Sequence, residues 1–259
     1  MRYGCCVGPE LIEAAAAAGY DYVELPVSAV LPERPEAEWE PVRERLRAGP
    51  LRPQAWRLFL APDLRATGPE VDWPRLSRYA YTALRRIADV GGAVVVFGSG
   101  PQRNVPEGFP REEACDQVTE LLRVCGAAGR ARGLMIAIEP MSVTYCNFIT
   151  SLPEAVALAK AVGMPEIGVA PDAFHMARDE QSPLDVVDAA EWLAHVHVPG
   201  AAAAAASMGE WTDQFLDALR LADYDWRISI EAEWEDAGEL GPALAVLRRC
   251  VEDALRRGI

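Results

Sequence analysis

Gly168-Val-Ala-Pro-Asp-Ala-Phe-His-Met176 is the stretch on which the fold turns, because a short apolar run ends there in an acid, Asp172, with His175 three residues further on. Three other apolar runs close on residues of the same kind: Ile136-Ala-Ile-Glu139, Ala194-His-Val-His197 and Ile228-Ser-Ile-Glu231. Runs of this length and composition predict buried strands. Four strands therefore each carry one metal-ligand type of residue at the carboxyl end.

Side chains from successive strands converge on one point only when the strands run parallel and their carboxyl ends share a face. A (β/α)8 barrel has that geometry. Three carboxylates gathered at its mouth repel one another and lose solvation, so they take up protons or surround a cation. The cation is the expectation.

The rest of the chain keeps the same alternation. Strands are predicted at Arg2 to Val7, Tyr22 to Leu25, Arg52 to Leu58, Ala93 to Phe97, Leu134 to Ile138, Ile167 to Pro171, Leu193 to Val198 and Trp226 to Ile230. Between them, Leu76, Tyr79, Ala80, Leu84, Ile87 and Ala88 keep the spacing of one helix face, as do Val118, Leu121, Leu122 and Cys125. Gly19 suits a helix C-terminus, and Ser151 with Glu154 forms a capping-box pattern before a helix ending near Val162. A helix from Pro183 to Ala190 and another from Trp211 to Ala222 continue the series, and Leu244, Leu247, Val251 and Leu255 stripe the closing helix. Eight repeats with no shift in composition predict one α/β barrel domain over residues 1–259, and the run Ala201 to Ala206 predicts a flexible surface loop.

Composition narrows the partners. The chain has 259 residues, 51 % hydrophobic and 25 % charged, which is globular. No apolar run approaches the ~20 residues of a membrane span, and the amino terminus lacks the basic and apolar regions of a secretory signal, so a cytoplasmic location is expected. The six cysteines form no CxxC pair and are expected as reduced, mostly buried thiols. A formal charge of −14 argues against nucleic acid as a partner. Gly98-Ser-Gly-Pro is not a GxGxxG fingerprint, so no dinucleotide cofactor is expected.

Glu139, Asp172, His197 and Glu231 make an oxygen-rich donor set with one imidazole, which suits Mn2+ first and also admits Mg2+, Co2+ or Zn2+. His195 and His197 are two apart and point to one side of the sheet at different heights. His197 lies nearer the mouth and is assigned to the metal, and His195 to the core or to support of the ligands. His175 falls on a loop above the mouth, where it would meet a substrate hydroxyl. Periodicity does not choose between Glu231 and Glu233, and Glu24, which also ends a strand, is expected to be structural.

Tyr22-Val-Glu-Leu-Pro26, the loop Phe97 to Pro106, Ile138-Glu-Pro140 with Asn147 eight residues after Glu139, Asp172-Ala-Phe-His-Met176, His195-Val-His197 and Ile230-Glu231 together resemble one group of proteins. Nearly the whole chain is similar to the sugar phosphate isomerases and epimerases of the xylose isomerase-like TIM barrels, within the AP endonuclease 2-type barrel superfamily. The resemblance implies a single divalent metal held by Glu139, Asp172, His197 and Glu231. It also implies that Glu139 and Glu231 face opposite sides of the reacting carbon and move a proton next to a metal-bound carbonyl, through an enediolate.

By the same resemblance Tyr145 stands where such epimerases often carry a further glutamate, and Val198-Pro-Gly followed by alanines replaces the usual acid and substrate-binding arginine. Arg103 is then the basic residue expected at the substrate, with His175, Asn147 and Tyr145 as further contacts. The implied activity is isomerisation or epimerisation of a small sugar or hydroxy-ketone. The alternatives are dehydration of a cyclic polyol ketone such as inosose, and a metal- or sugar-binding barrel without catalysis. Barrels of this kind often pair over the mouth, which makes a homo-oligomer an expectation too.

Overall fold

The computed structural model describes residues 1–257, and the side chains of all of these except 201–208. Eight strands form one parallel sheet: β1 Arg2–Cys6, β2 Tyr22–Pro26, β3 Pro53–Arg57, β4 Val94–Phe97, β5 Met135–Ile138, β6 Ile167–Val169, β7 His197–Pro199 and β8 Arg227–Glu231. Their order is β6-β5-β4-β3-β2-β1-β8-β7. Single parallel bridges, Val169 to Leu193 and Asp172 to His197, join the two edges. The sheet thus curls into the expected barrel.

Two layers of apolar side chains hold it. Outside the sheet a large cluster fills the space under the helices, including Trp39, Trp56, Leu76, Leu84, Leu122 and Phe215. Inside, a small cluster of Tyr22, Ala55, Val94, Val96, Ala137, Ala170 and Ala194 fills the narrow bore. Small residues dominate there because one large ring already crosses it: a Cβ on Gly4 would lie 2.3 Å from the Tyr22 ring.

The helices are α1 Ile12–Ala18, α2 Glu36–Ala48, α3 Trp73–Asp89, α4 Gly100–Arg103, α5 Arg111–Arg130, α6 Leu152–Val162, α7 Ala173–Arg178, α8 Asp185–Asp188, α9 Ala201–Leu221 and α10 Leu240–Arg257. Gly19 ends α1 at φ 90°, a conformation that costs glycine little. Ser151 caps α6 by accepting from Glu154 N–H at 3.4 Å, while Glu154 Oε2 accepts from Thr150 N–H, one residue earlier than the reciprocal capping box requires. None of the described helices is long and apolar enough to cross a membrane.

Several expectations need correction. Strand β7 begins at His197, not Leu193, because Leu193 pairs with Val169 as an isolated bridge and the chain runs irregularly between them. Strand β6 stops at Val169, short of Pro171, whose nitrogen has no hydrogen to donate to a ladder. The alanine run opens helix α9 instead of forming a loop, with non-helical backbone at Gly209, and its side chains lie outside the described residues. Leu255, placed in the inward stripe of α10, is 56 % exposed.

Candidate metal centre

Glu139, Asp172, His197 and Glu231 meet at the barrel mouth, although His197 opens β7 instead of ending it, a correction to its expected strand-end place. Ligand atoms of Glu139, Asp172, His197 and Glu231 all lie within 4.8 Å of one another. Glu139 follows β5 and Glu231 ends β8, so the two glutamates reach the centre from strands three places apart around the ring. Glu139 and Asp172 are buried, and the mouth side of Glu231 remains partly open.

Local structure explains each position. Asp172 caps α7: its Oδ1 accepts from His175 N–H at 3.0 Å, which leaves Oδ2 turned toward His197. The acid-x-x-histidine spacing is therefore that of a helix cap. Glu139 depends on Gly98, the residue after β4, because a Cβ at Gly98 would fall 1.8 Å from Glu139 Oε2. Only glycine leaves that carboxylate its space.

His197 is the hub. Its Nδ1 donates to Glu139 Oε1 at 2.7 Å and lies 3.0 Å from Glu231 Oε2 as an ion pair, and its Nε2 donates to Glu24 Oε1 at 3.0 Å. Burial works against charge on the ring, but Glu24, Glu139 and Glu231 outweigh it and hold the imidazole well above its ordinary value. His195, equally buried, is held below its ordinary value by desolvation, and as a neutral ring it donates from Nε2 to Glu24 Oε2 at 2.8 Å. Burial pushes the Asp172 carboxyl up, with His175 opposing and Glu139 adding to the rise. Glu231 is driven the other way: burial would raise it, yet His197 and Arg57 together bring it below the usual range.

A divalent cation fits this donor set. Three carboxylates and an imidazole nitrogen supply mostly hard oxygen ligands, and an imidazolium now carries the positive charge that they demand. Glu24 fixes the His197 ring through Nε2 and leaves Nδ1 facing the other carboxylates, the kind of outer support that a metal-ligating histidine would need.

Other expected contacts are placed differently. Arg103 is fully buried, and its guanidinium donates to four backbone carbonyls, those of Phe97, Glu139, Phe148 and Ile149, at 2.7 to 3.1 Å. It clamps the loops around the mouth and does not line it. Asn147 binds both the N–H and the C=O of Val105 through its amide and is likewise a loop clamp. His175 sits in the first turn of α7, not on a loop, with Nδ1 buried and without a partner among the described residues. Tyr145, 44 % exposed, packs edge-on to the His175 ring at 5.5 Å and beside Phe174 at 6.4 Å. These three aromatic groups form a wall next to Asp172.

Three residues at the centre escaped the sequence reading. Glu24, expected to be structural, is fully buried and bonds both histidines. Arg57, at the end of β3, donates to Glu231 Oε1 at 3.0 Å. Cys6, at the end of β1, faces the same interior. Cys6 and Arg57 carried the signal of strand-end position, whereas Glu24, expected at a strand end, lies in the middle of β2. Glu233 is exposed and stands apart from the cluster, which leaves Glu231 as the inward residue.

The family model of the xylose isomerase-like TIM barrel matches residues 12–250. Among solved structures, D-allulose 3-epimerase from Methylomonas sp. is 18 % identical, with 96 % of this chain and 98 % of that chain covered, at a TM-score of 0.80. The apo form of 3-keto-D-glucoside 4-epimerase from E. coli is 18 % identical, with coverages of 96 % and 100 % and a TM-score of 0.76. D-psicose 3-epimerase from Clostridium cellulolyticum H10, solved with D-tagatose, is 16 % identical, with coverages of 99 % and 97 % and a TM-score of 0.75. No curated protein matches the sequence. The strand-end carboxylates, the closed parallel sheet and the family model agree: the chain belongs to the xylose isomerase-like TIM barrels.

Proposed function

We propose that this protein is a divalent-metal-dependent isomerase or epimerase of a small sugar or hydroxy-ketone, with Glu139, Asp172, His197 and Glu231 as the metal ligands. The observation that carries the reading is the mutual approach of those four donor sets at one barrel mouth, with two glutamates arriving from different sides. The names of the similar solved structures, sugar 3-epimerases and a keto-glucoside 4-epimerase, support the same class of chemistry.

The chain's residues divide the work. Glu231, whose carboxyl lies below the usual range, is ionised at neutral pH and able to take a proton from the carbon next to a substrate carbonyl. Arg57 holds one of its oxygens and so sets the direction of the other. Glu139, which reaches the centre from β5, would return a proton to the opposite face or to a neighbouring oxygen. The aromatic wall of Tyr145, Phe174 and His175 would exclude water from one side of the substrate. A divalent ion, when bound, supplies Lewis-acid polarisation of the carbonyl, which makes the adjacent C–H acidic.

The test is incubation of the Mn2+-loaded protein with D-allulose, D-fructose and D-tagatose in deuterated water. Deuterium incorporation next to the carbonyl, lost in Glu231→Ala, is the expected result, and a product lighter by one water identifies dehydration instead. Tight Mn2+ binding with no exchange on any small ketose would leave a binding protein and overturn the catalytic reading.

A further inference from the structure

Cys6 is fully buried at the carboxyl end of β1, and its Sγ lies within 4.8 Å of ligand atoms of both His197 and Glu231. Strand register accounts for this. Cys6 pairs with Glu24 across β1 and β2, so both side chains point into the bore, and Gly4, two residues earlier, pairs with the inward Ser229 of β8. Of the three donor sets that share His197 among the described residues, two also share Glu231 and differ in kind. One holds three carboxylates and an imidazole, the other a thiol, an imidazole and one carboxylate.

We propose that Cys6, His197 and Glu231 form a second, thiolate-containing site for a soft divalent ion such as Zn2+, overlapping the oxygen-rich site and excluding its ion. The proposal rests on the metal-binding part of the reading above and extends it to metal choice. The two sets share His197 and Glu231, so one chain holds one ion at a time. Their donors select differently: carboxylate oxygens suit Mn2+ and Mg2+, whereas a thiolate with an imidazole suits Zn2+ and Cd2+.

Three protein ligands also leave a fourth tetrahedral position open. Binding replaces the S–H bond of Cys6 by a metal–sulfur bond and releases the proton to solvent, with no change of oxidation state. Burial, Glu24 and Glu231 keep the free thiol protonated, while His197 and Arg57 oppose them. Arg57, whose guanidinium donates to Glu231 Oε1, adds a positive charge beside the thiol that favours a thiolate once an ion is there to hold it.

The experiment compares metal-stripped wild type with Cys6→Ser, using Cd2+ as a spectroscopic probe and Zn2+ and Mn2+ in calorimetry. Wild type is expected to show a thiolate-to-Cd2+ charge-transfer band that Cys6→Ser lacks. Zn2+ affinity should fall by about tenfold or more in the variant, with Mn2+ affinity held within about twofold. A band that survives in Cys6→Ser arises from another thiol and overturns the proposal, as does equal Zn2+ affinity in both proteins.

Should Cys6→Ser fail to fold, Glu139→Gln provides a second arm: it should lose Mn2+ affinity and keep the Cd2+ band, and loss of both would count against a separate soft site. Mn2+ binding without a thiolate band refutes only the soft site. A thiolate band without Mn2+ binding refutes only the oxygen-rich ligand set.

Discussion

Glu24 Oε1 lies 3.0 Å from His197 Nε2, so the carboxylate of β2 decides which nitrogen of the β7 imidazole faces the mouth. Its other oxygen holds His195 at 2.8 Å, and burial is complete for all three groups. Although burial would raise Glu24, the two histidines bring its carboxyl well below the usual range. It is a fixed negative charge beneath the candidate metal centre.

Glu24→Gln should therefore weaken metal binding without touching a ligand. An amide keeps the shape but loses the charge and half the accepting capacity, which frees the imidazole to turn. Mn2+ affinity is expected to drop by about 10- to 100-fold. Calorimetry on the folded variant checks this, and unchanged affinity would remove Glu24 from the centre.

Gly98→Ala tests the glycine that makes room for Glu139. The new methyl would meet the far end of a flexible carboxylate, not backbone, so the fold should yield cheaply by swinging that side chain aside. The expected signature is a denaturation midpoint near wild type together with an Mn2+ affinity about tenfold lower or worse. A large loss of stability with metal affinity intact would contradict it.

Metal binding should be pH-dependent through His197. Its raised folded value means that the ring is protonated in the metal-free protein, and an ion at Nδ1 requires the neutral ring. Below that value each ion displaces a proton, so apparent affinity should climb by about tenfold per pH unit per proton and level off above it. The same sign governs folding without metal: the stability from this ring is full below its unfolded value of about 6.5 and is lost as pH rises through the folded one. Calorimetry in buffers of different ionisation enthalpy should report release of about one proton, and an affinity flat from about pH 6 to 8 would sink the idea.

Arg103→Met should damage stability, not substrate affinity. It strips a buried donor from the carbonyls of Phe97, Glu139, Phe148 and Ile149, at a cost of about 3 kcal/mol or more. Urea denaturation checks the loss. A variant of wild-type stability with raised KM would restore Arg103 to the substrate.

Much of the fold was legible because its signals are local. The run Ala93 to Phe97 can be little other than a strand buried on both faces, and the α3 stripe from Leu76 to Ile87 is buried as its spacing demands. The convergence of Glu139, Asp172 and Glu231 was legible too, since in a parallel barrel the carboxyl end of every strand opens on one mouth, whereas His197 joins them from the start of β7. Boundaries near Leu193 and Pro171 were not, because there the ring closes through isolated bridges whose partners lie more than twenty residues apart.

By itself the sequence determined the barrel, the inward carboxylates and imidazole, and the absence of a dinucleotide fingerprint, since period, strand ends and spacing are properties of neighbouring residues. Only the tertiary structure decided which polar groups share the centre. Arg103 ends the short helix after β4 and Arg57 ends β3, yet one turns back onto loop carbonyls and the other reaches Glu231. Glu24 and Cys6 enter the site because register across β1 and β2 turns both inward together. The physical reason is that pKa, hydrogen-bond partner and ligand choice depend on distances of a few ångströms between residues as far apart as Glu24 and His197, and those distances exist only once the ring has closed.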